Sequence, residues 1–121
     1  MKKEETIQNY LEAIYITSLE KDNVRAIDLA NYLGFSRPTV SIALRQLEKD
    51  GYIKVDENII TLSEKGLKIA VTMYERHEYI ARILMKLGVD KKTAYEDSCL
   101  IEHDLSAESF AAIKKATQDY L

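Results

Sequence analysis

The run CLIEHDLS, from Cys99 to Ser106, places a thiol, a carboxylate and an imidazole at positions i, i+3 and i+4. Cys99 is the chain's only cysteine, and His103 is one of its two histidines. On a helix these three side chains share a face. All three groups ligate transition metals, but three ligands on one face do not complete a site. The other histidine, His77, recurs with Met73, Ile80, Ala81 and Leu84 along an apolar stripe, so it is expected to face inward. A lone inward histidine is more often a core residue than a ligand. Two histidines and a cysteine, all expected on inner faces, shift the reading toward a metal site. His77-Glu78 also begins like the H-E-x-x-H signature of zinc hydrolases, but position 81 is Ala, which leaves that reading remote. No serine sits in a strained, glycine-flanked turn, so a serine-histidine-aspartate arrangement has no local support.

A second stripe carries different chemistry. Val40, Leu44 and Leu47 define the buried side of a helix that Ser36 caps and Pro38 enters in its first turn. The opposite side presents Pro38, Ser41, Ile42 and Arg45, with Arg37 and Thr39 beside the Ser36 cap. Arginine pairs with guanine edges, hydroxyls with bases or phosphates, and Ile42 or Pro38 with thymine methyls. By itself the stripe is equally compatible with an ordinary solvated face.

The surrounding elements decide between those readings. Ile7, Tyr10, Leu11, Ile14 and Tyr15 predict an amphipathic helix from about Glu4 to Glu20. Its second face holds Asn9, Glu12 and Ile16, more than solvation requires. A short helix through Ala26 to Leu33 stops at Gly34, and the Ser36 helix ends at Asp50-Gly51. YIKV and IITL, separated by Asp56-Glu57-Asn58, read as a hairpin. Two helices, a tight turn and a hairpin make a winged helix-turn-helix, whose second helix enters the major groove of DNA. Acidic Asp56 and Glu57 at the wing tip oppose phosphate, and Lys54 is the wing's only cation. A long helix then runs from Ser63-Glu64 to about Lys86. Another, capped by Asp90, runs to about His103, and a last one from Ser106 carries Phe110 and Ile113 inward. The fold class is therefore mainly α with a small β-hairpin. Residues 1–72 are expected to form the DNA-binding domain and residues 73–121 a helical domain whose surplus faces make a subunit interface.

Composition agrees. The chain has 121 residues, 46% hydrophobic and 31% charged, as in globular proteins. No apolar run approaches the roughly 20 residues of a membrane helix. MKKEETIQNY has no apolar stretch after its lysines and is not a signal peptide. With one cysteine, no internal disulfide forms, and a cytoplasmic location is the default. A net charge of −3 argues against diffuse, charge-driven nucleic-acid binding but leaves a local basic surface open.

Taken together, YLEAIY (Tyr10–Tyr15), VRAIDLANYLGFSRPTVSIALRQLEKDG (Val24–Gly51), LSEKG (Leu62–Gly66), ERH (Glu75–His77) and CLIEHDLS resemble the diphtheria toxin repressor and manganese transport regulator family, over nearly the whole chain. The resemblance implies a winged-helix domain followed by a helical domain for dimerisation and metal binding. It implies a homodimer that represses transcription from a double-stranded DNA operator when Fe(II) or Mn(II) is bound. Carried over residue by residue, the implied ligands are Glu12, His77, Cys99, Glu102 and His103, with Asn9 at the place of a further one. A metal joining the first helix to the second domain would then fix the angle between the DNA-binding domain and the dimer.

Two departures matter. Asn9 stands where the iron-responsive branch has Met and the manganese-responsive branch Asp. Cys99 matches the iron branch, whereas the manganese branch has Glu, and a thiolate favours softer ions. Ala81 and Tyr95 stand where a second metal site of the iron branch has ligands, so that site is expected to be absent or altered. The chain is of mixed type, leaning to iron. A dimeric winged-helix regulator without metal control, with Cys99 as a small buried hydrophobe, is the alternative.

Overall fold

The computed structural model describes residues 3–121. It contains α1 (Lys3–Glu20), α2 (Ala26–Leu33), α3 (Arg37–Lys49), β1 (Ile53–Asp56), β2 (Ile59–Leu62), α4 (Glu64–Lys86), α5 (Lys91–Ile101), α6 (Ala107–Thr117) and a closing 3-10 turn, Gln118–Tyr120. Residues up to Thr72 form one compact unit and residues from Met73 another.

In the first unit, Tyr10, Leu11 and Ile14 of α1, Leu29 of α2, Val40, Leu44 and Leu47 of α3, and Ile53 and Ile60 of the hairpin make one core. The helix ends are set locally. Gly34 closes α2 in the left-handed conformation, at φ 73°, and its N–H reaches the Ala30 carbonyl. Ser36 Oγ accepts from the Thr39 N–H at 3.3 Å and starts α3 two residues later. So short a connection fixes α3 against α2, as the helix-turn-helix reading requires.

The hairpin is antiparallel, pairing Ile53 with Leu62 and Asp56 with Ile59. Its turn is two residues, Glu57 and Asn58, with φ of 50° and 66°. Two consecutive left-handed residues are the mark of a type I′ turn, which matches strand twist. The expected strand YIKV is thus shifted by one residue. Tyr52 lies outside the ladder because its N–H donates to the Leu47 carbonyl at 3.0 Å and not across to Ser63, although its own carbonyl accepts from both the N–H and the Oγ of Ser63, at 3.0 and 2.9 Å. Ser63 Oγ also donates to the Gly51 carbonyl at 2.7 Å, closing the hairpin base onto the start of α4.

In the second unit, Met73, His77, Ile80 and Ala81 form the buried stripe of α4, as their spacing predicts. Asp90 caps α5 through the Thr93 N–H, and Ser106 caps α6 through the Ser109 N–H. Helix α5 ends at Ile101, not near His103. Residues Glu102 to Asp104 make a turn whose carbonyls are drawn to α4: Arg76 Nη1 donates to Leu105 O at 2.9 Å and to Glu102 O at 3.5 Å. Phe110 and Ile113 are half-buried, and α6 has no buried residue in the single chain. Phe110 meets Tyr79 edge-on, with ring centroids 5.7 Å apart, and Arg76 lies over it.

Candidate DNA interface and metal centre

The surface of α3 divides as the sequence stripe predicts. Val40, Leu44 and Leu47 are buried, whereas Ser36, Arg37, Pro38, Thr39, Ser41, Ile42 and Arg45 are all exposed. Ile42 is 62% exposed. Such a branched apolar side chain between Ser41 and Arg45 gains nothing from water and is suited to a base methyl. Ser36 and Thr39 already have a local task, since Ser36 Oγ donates to Thr39 Oγ1 at 2.8 Å besides capping α3. Arg37 and Arg45, without such ties among the described contacts, are the stronger candidates for reaching a duplex.

These two arginines line a cleft between α3 and the wing together with Arg25, Ser41, Glu48 and Asn58. Arg25 and Asn58 were not singled out from sequence. Arg25 precedes α2 by one residue, so its place beside Arg37 and Arg45 is set by the helix-turn-helix geometry and by no local pattern. Asn58 is brought there by the two-residue wing turn. Three guanidinium groups on one side of the first unit form a local basic surface on a chain of net charge −3. Exposed Asp56 and Glu57 remain at the wing tip.

The second unit gathers four of the expected metal ligands. His77 is buried in the middle of α4. Glu102, the residue after α5, is fully buried. Its Oε2 lies 3.9 Å from His77 Nδ1, and its Oε1 lies 3.4 Å from His103 Nε2. Cys99 Sγ lies 3.3 Å from His77 Nε2. A thiol, a carboxylate and two imidazoles from α4, α5 and the following turn are thus linked pair by pair, Cys99 to His77, His77 to Glu102 and Glu102 to His103.

The expectation that Cys99 lies on an inner face is corrected: the residue is exposed, although its sulfur is directed at His77. The buried residues of α5 are Ala94 and Ser98, Glu102 continues their spacing of four just past the helix, and Cys99 sits beside that line. The alternative in which Cys99 is a small buried hydrophobe does not fit this placement. Glu102 still has helical φ and ψ, with its N–H on the Ser98 carbonyl, whereas His103 follows in the turn that Arg76 holds.

Neighbouring residues restrict the site. Tyr95 meets the His77 ring edge-on, with centroids 5.4 Å apart. Its hydroxyl donates to Glu78 Oε2 at 2.8 Å, and this bond to Glu78, with some burial, holds the phenol above its ordinary pKa. Ala81, fully buried, offers no donor. Glu12 and Asn9 belong to α1 of the first unit, where Glu12 is buried and Asn9 half-buried.

The donor chemistry fits a divalent transition metal. A buried carboxylate is costly unless charge or hydrogen bonds compensate it. Nitrogen, oxygen and sulfur donors together suit iron, cobalt, nickel or zinc, and without the sulfur the set would suit harder ions such as manganese.

Comparison with known proteins places both halves. Residues 3–59 match the family model described as iron dependent repressor, N-terminal DNA binding domain. Residues 63–120 match iron dependent repressor, metal binding and dimerisation domain. The chain belongs to the iron dependent repressor family. An HTH-type transcriptional regulator of Methanocaldococcus jannaschii is 34% identical to this family member over 113 residues, covering 91% of the chain and 90% of the relative. The transcriptional regulator MntR of Salmonella typhimurium is 33% identical over 119 residues, covering 98% and 76%. Among solved structures, a manganese-dependent transcriptional repressor in complex with manganese superposes with a TM-score of 0.81 at 29% identity. That match covers 91% of the chain, which spans about half (51%) of the solved one. The architecture of this repressor-family chain is thus a winged helix-turn-helix followed by the family's metal-binding and dimerisation domain. No helix among its described residues is long and apolar enough to cross a membrane.

Proposed function

We propose that the chain is a cytoplasmic homodimer that binds a double-stranded DNA operator and represses transcription, of metal-uptake genes, when Fe(II) or Mn(II) is bound. It acts as a regulator and not as an enzyme. The observation that carries the reading is the run of close contacts from Cys99 to His77, Glu102 and His103 in a chain of this family. Residues 1–72 supply the grip on DNA, through Arg37, Arg45 and the exposed α3 stripe. Residues 73–121 supply the metal centre and the dimer contact.

His77, Glu102, His103 and Cys99 would hold the ion, which contributes the positive charge that makes their close approach favourable. Glu12, with Asn9 one turn before it, is assigned as a further ligand on α1. Support comes from the motif resemblance and from the burial of the Glu12 carboxylate beside the core residues Leu11, Ala13 and Ile14 of an amphipathic helix. Around the site, Arg76 keeps the Glu102 turn on α4, and Tyr95 packs on His77 while engaging Glu78. These residues orient the donors before any ion arrives. Metal favours the DNA-competent state only to the extent that it binds that state more tightly. The Cys99 thiol favours iron, whereas a solved structure at 29% identity is that of a manganese-dependent repressor in complex with manganese.

A gel-shift titration with and without chelator tests the reading. The expected result is duplex binding that chelator abolishes and Fe(II) or Mn(II) restores. Affinity indifferent to metal would leave a winged-helix regulator without metal control. Chelator-sensitive turnover of peptide or ester substrates would instead revive a hydrolase.

A further inference from the structure

The wing has two outward edges, and each is tied by a single backbone N–H. With Asp56 paired to Ile59 across the turn, Val55 and Ile60 form a non-hydrogen-bonded pair whose amides point away from each other's strand. The Ile60 N–H donates to the Val24 carbonyl, between α1 and α2, at 2.8 Å. The Val55 N–H donates to Glu48 Oε2, near the end of α3, also at 2.8 Å. The first tie is backbone to backbone and independent of side-chain type. The second depends on one carboxylate carried by the helix that presents Ser41, Ile42 and Arg45.

Glu48 also lines the cleft shared by Arg25, Arg37 and Arg45. A carboxylate there opposes phosphate, so its electrostatic effect on DNA binding is unfavourable. Its bond to Val55 is an offsetting contribution, because an edge strand without a partner is free to shift on its neighbours. We propose that Glu48 is a positioning residue that sets the wing, and with it Asn58, in register with the DNA-facing stripe of α3. The proposal rests on the DNA-binding reading above and names the residue that couples the two parts of that interface.

Two variants separate position from charge. Glu48→Gln keeps an acceptor at the same reach and removes the charge, whereas Glu48→Ala removes both. On the full-length protein, amide exchange at Val55 is expected to be unchanged in Glu48→Gln and about fivefold faster in Glu48→Ala, the effect of one hydrogen bond. Exchange at Ile60 is expected to stay the same in both, which a general loss of stability would not allow. With Fe(II) or Mn(II) present throughout, a duplex selected from a random pool by the wild-type protein should bind Glu48→Ala about fivefold more weakly than Glu48→Gln. The salt slopes of the two variants should match, since both lack the same charge. Equal Val55 exchange in the two variants overturns the proposal, as does equal duplex affinity despite different exchange. A wild-type protein that selects no duplex retires the DNA-binding reading instead, and the Val55 and Ile60 exchange rates still decide whether Glu48 holds the wing.

Discussion

Cys99 Sγ approaches His77 Nε2 at 3.3 Å across 22 residues of sequence, joining the last turn of α5 to the middle of α4. The contact is made by an exposed residue, so its sulfur is held by direction and not by burial. Removing it should therefore cost little stability. Cys99→Ala is expected to change unfolding free energy by no more than about 0.5 kcal/mol, as for surface substitutions. Metal affinity should fall about tenfold or more, and the thiolate charge-transfer absorption of the Co(II) form should disappear. Calorimetric metal titration and Co(II) spectra check this. A variant that binds metal as the wild type does would make position 99 a bystander.

Gly66 lies against the carbonyl of Tyr52, where an added Cβ would overlap the oxygen. The same carbonyl accepts both bonds from Ser63, so it cannot retreat without opening the hairpin base. Gly66→Ala is expected to destabilise the first unit by about 1–3 kcal/mol, the cost of overpacking. Urea unfolding followed by circular dichroism measures it. Retention of wild-type stability would show that the Ser63 junction is compliant.

Much of this fold follows from local signals. Gly34, Ser36, Pro38, Asp90 and Ser106 announce helix ends by mechanisms that operate within four residues. The α3 stripe was readable because three buried residues fix the phase of a helix. The end of α5 was not, because Arg76, distant in sequence, draws off the carbonyls of Glu102 and Leu105. Cys99 was placed one step too far inward for a related reason. Period alone does not separate the stripe Ala94-Ser98-Glu102 from its neighbour, and the small residues that mark close packing, Ala94 and Ser98, were the available clue. Arg25 was missed because nothing within its own segment points to the cleft that α3 and the wing complete. The resemblance to metal-dependent repressors implies a ligand set, which spacing alone leaves open.

Asp28 should make stability depend on pH at the acid end. Its Oδ2 accepts the Arg25 N–H at 2.9 Å, and its Oδ1 pairs with Lys21 at 3.0 Å. These contacts, the Arg25 backbone bond foremost, hold its carboxyl below the ordinary Asp value. A depressed folded pKa contributes stability that is present above the unfolded pKa and is lost as pH falls through the folded one. Asp28→Asn is thus expected to be less stable than wild type by ~0.5 kcal/mol at neutral pH, the scale of an exposed pair. That difference should close as pH drops below the unfolded Asp value of about 3.9. Parallel urea melts across that range check it. A gap that persists undiminished in acid would assign the effect to packing.

Arg45 and Arg37 are both exposed on α3 and line the same cleft as Arg25. If Arg45 reaches a guanine, Arg45→Ala should weaken operator binding by about 1–3 kcal/mol and relax preference at one base pair. If it reaches a phosphate, affinity should fall evenly across sequences and the salt slope should drop by about one. Either way Arg45 is none of the proposed ligands, Glu12, His77, Cys99, Glu102 and His103, so metal affinity measured without DNA should be unaltered. A titration of selected and unrelated duplexes at several salt concentrations distinguishes the two contacts. An unchanged footprint and slope would mean that this side of α3 does not meet the duplex, and the buried residues Val40, Leu44 and Leu47 exclude the opposite side as a substitute.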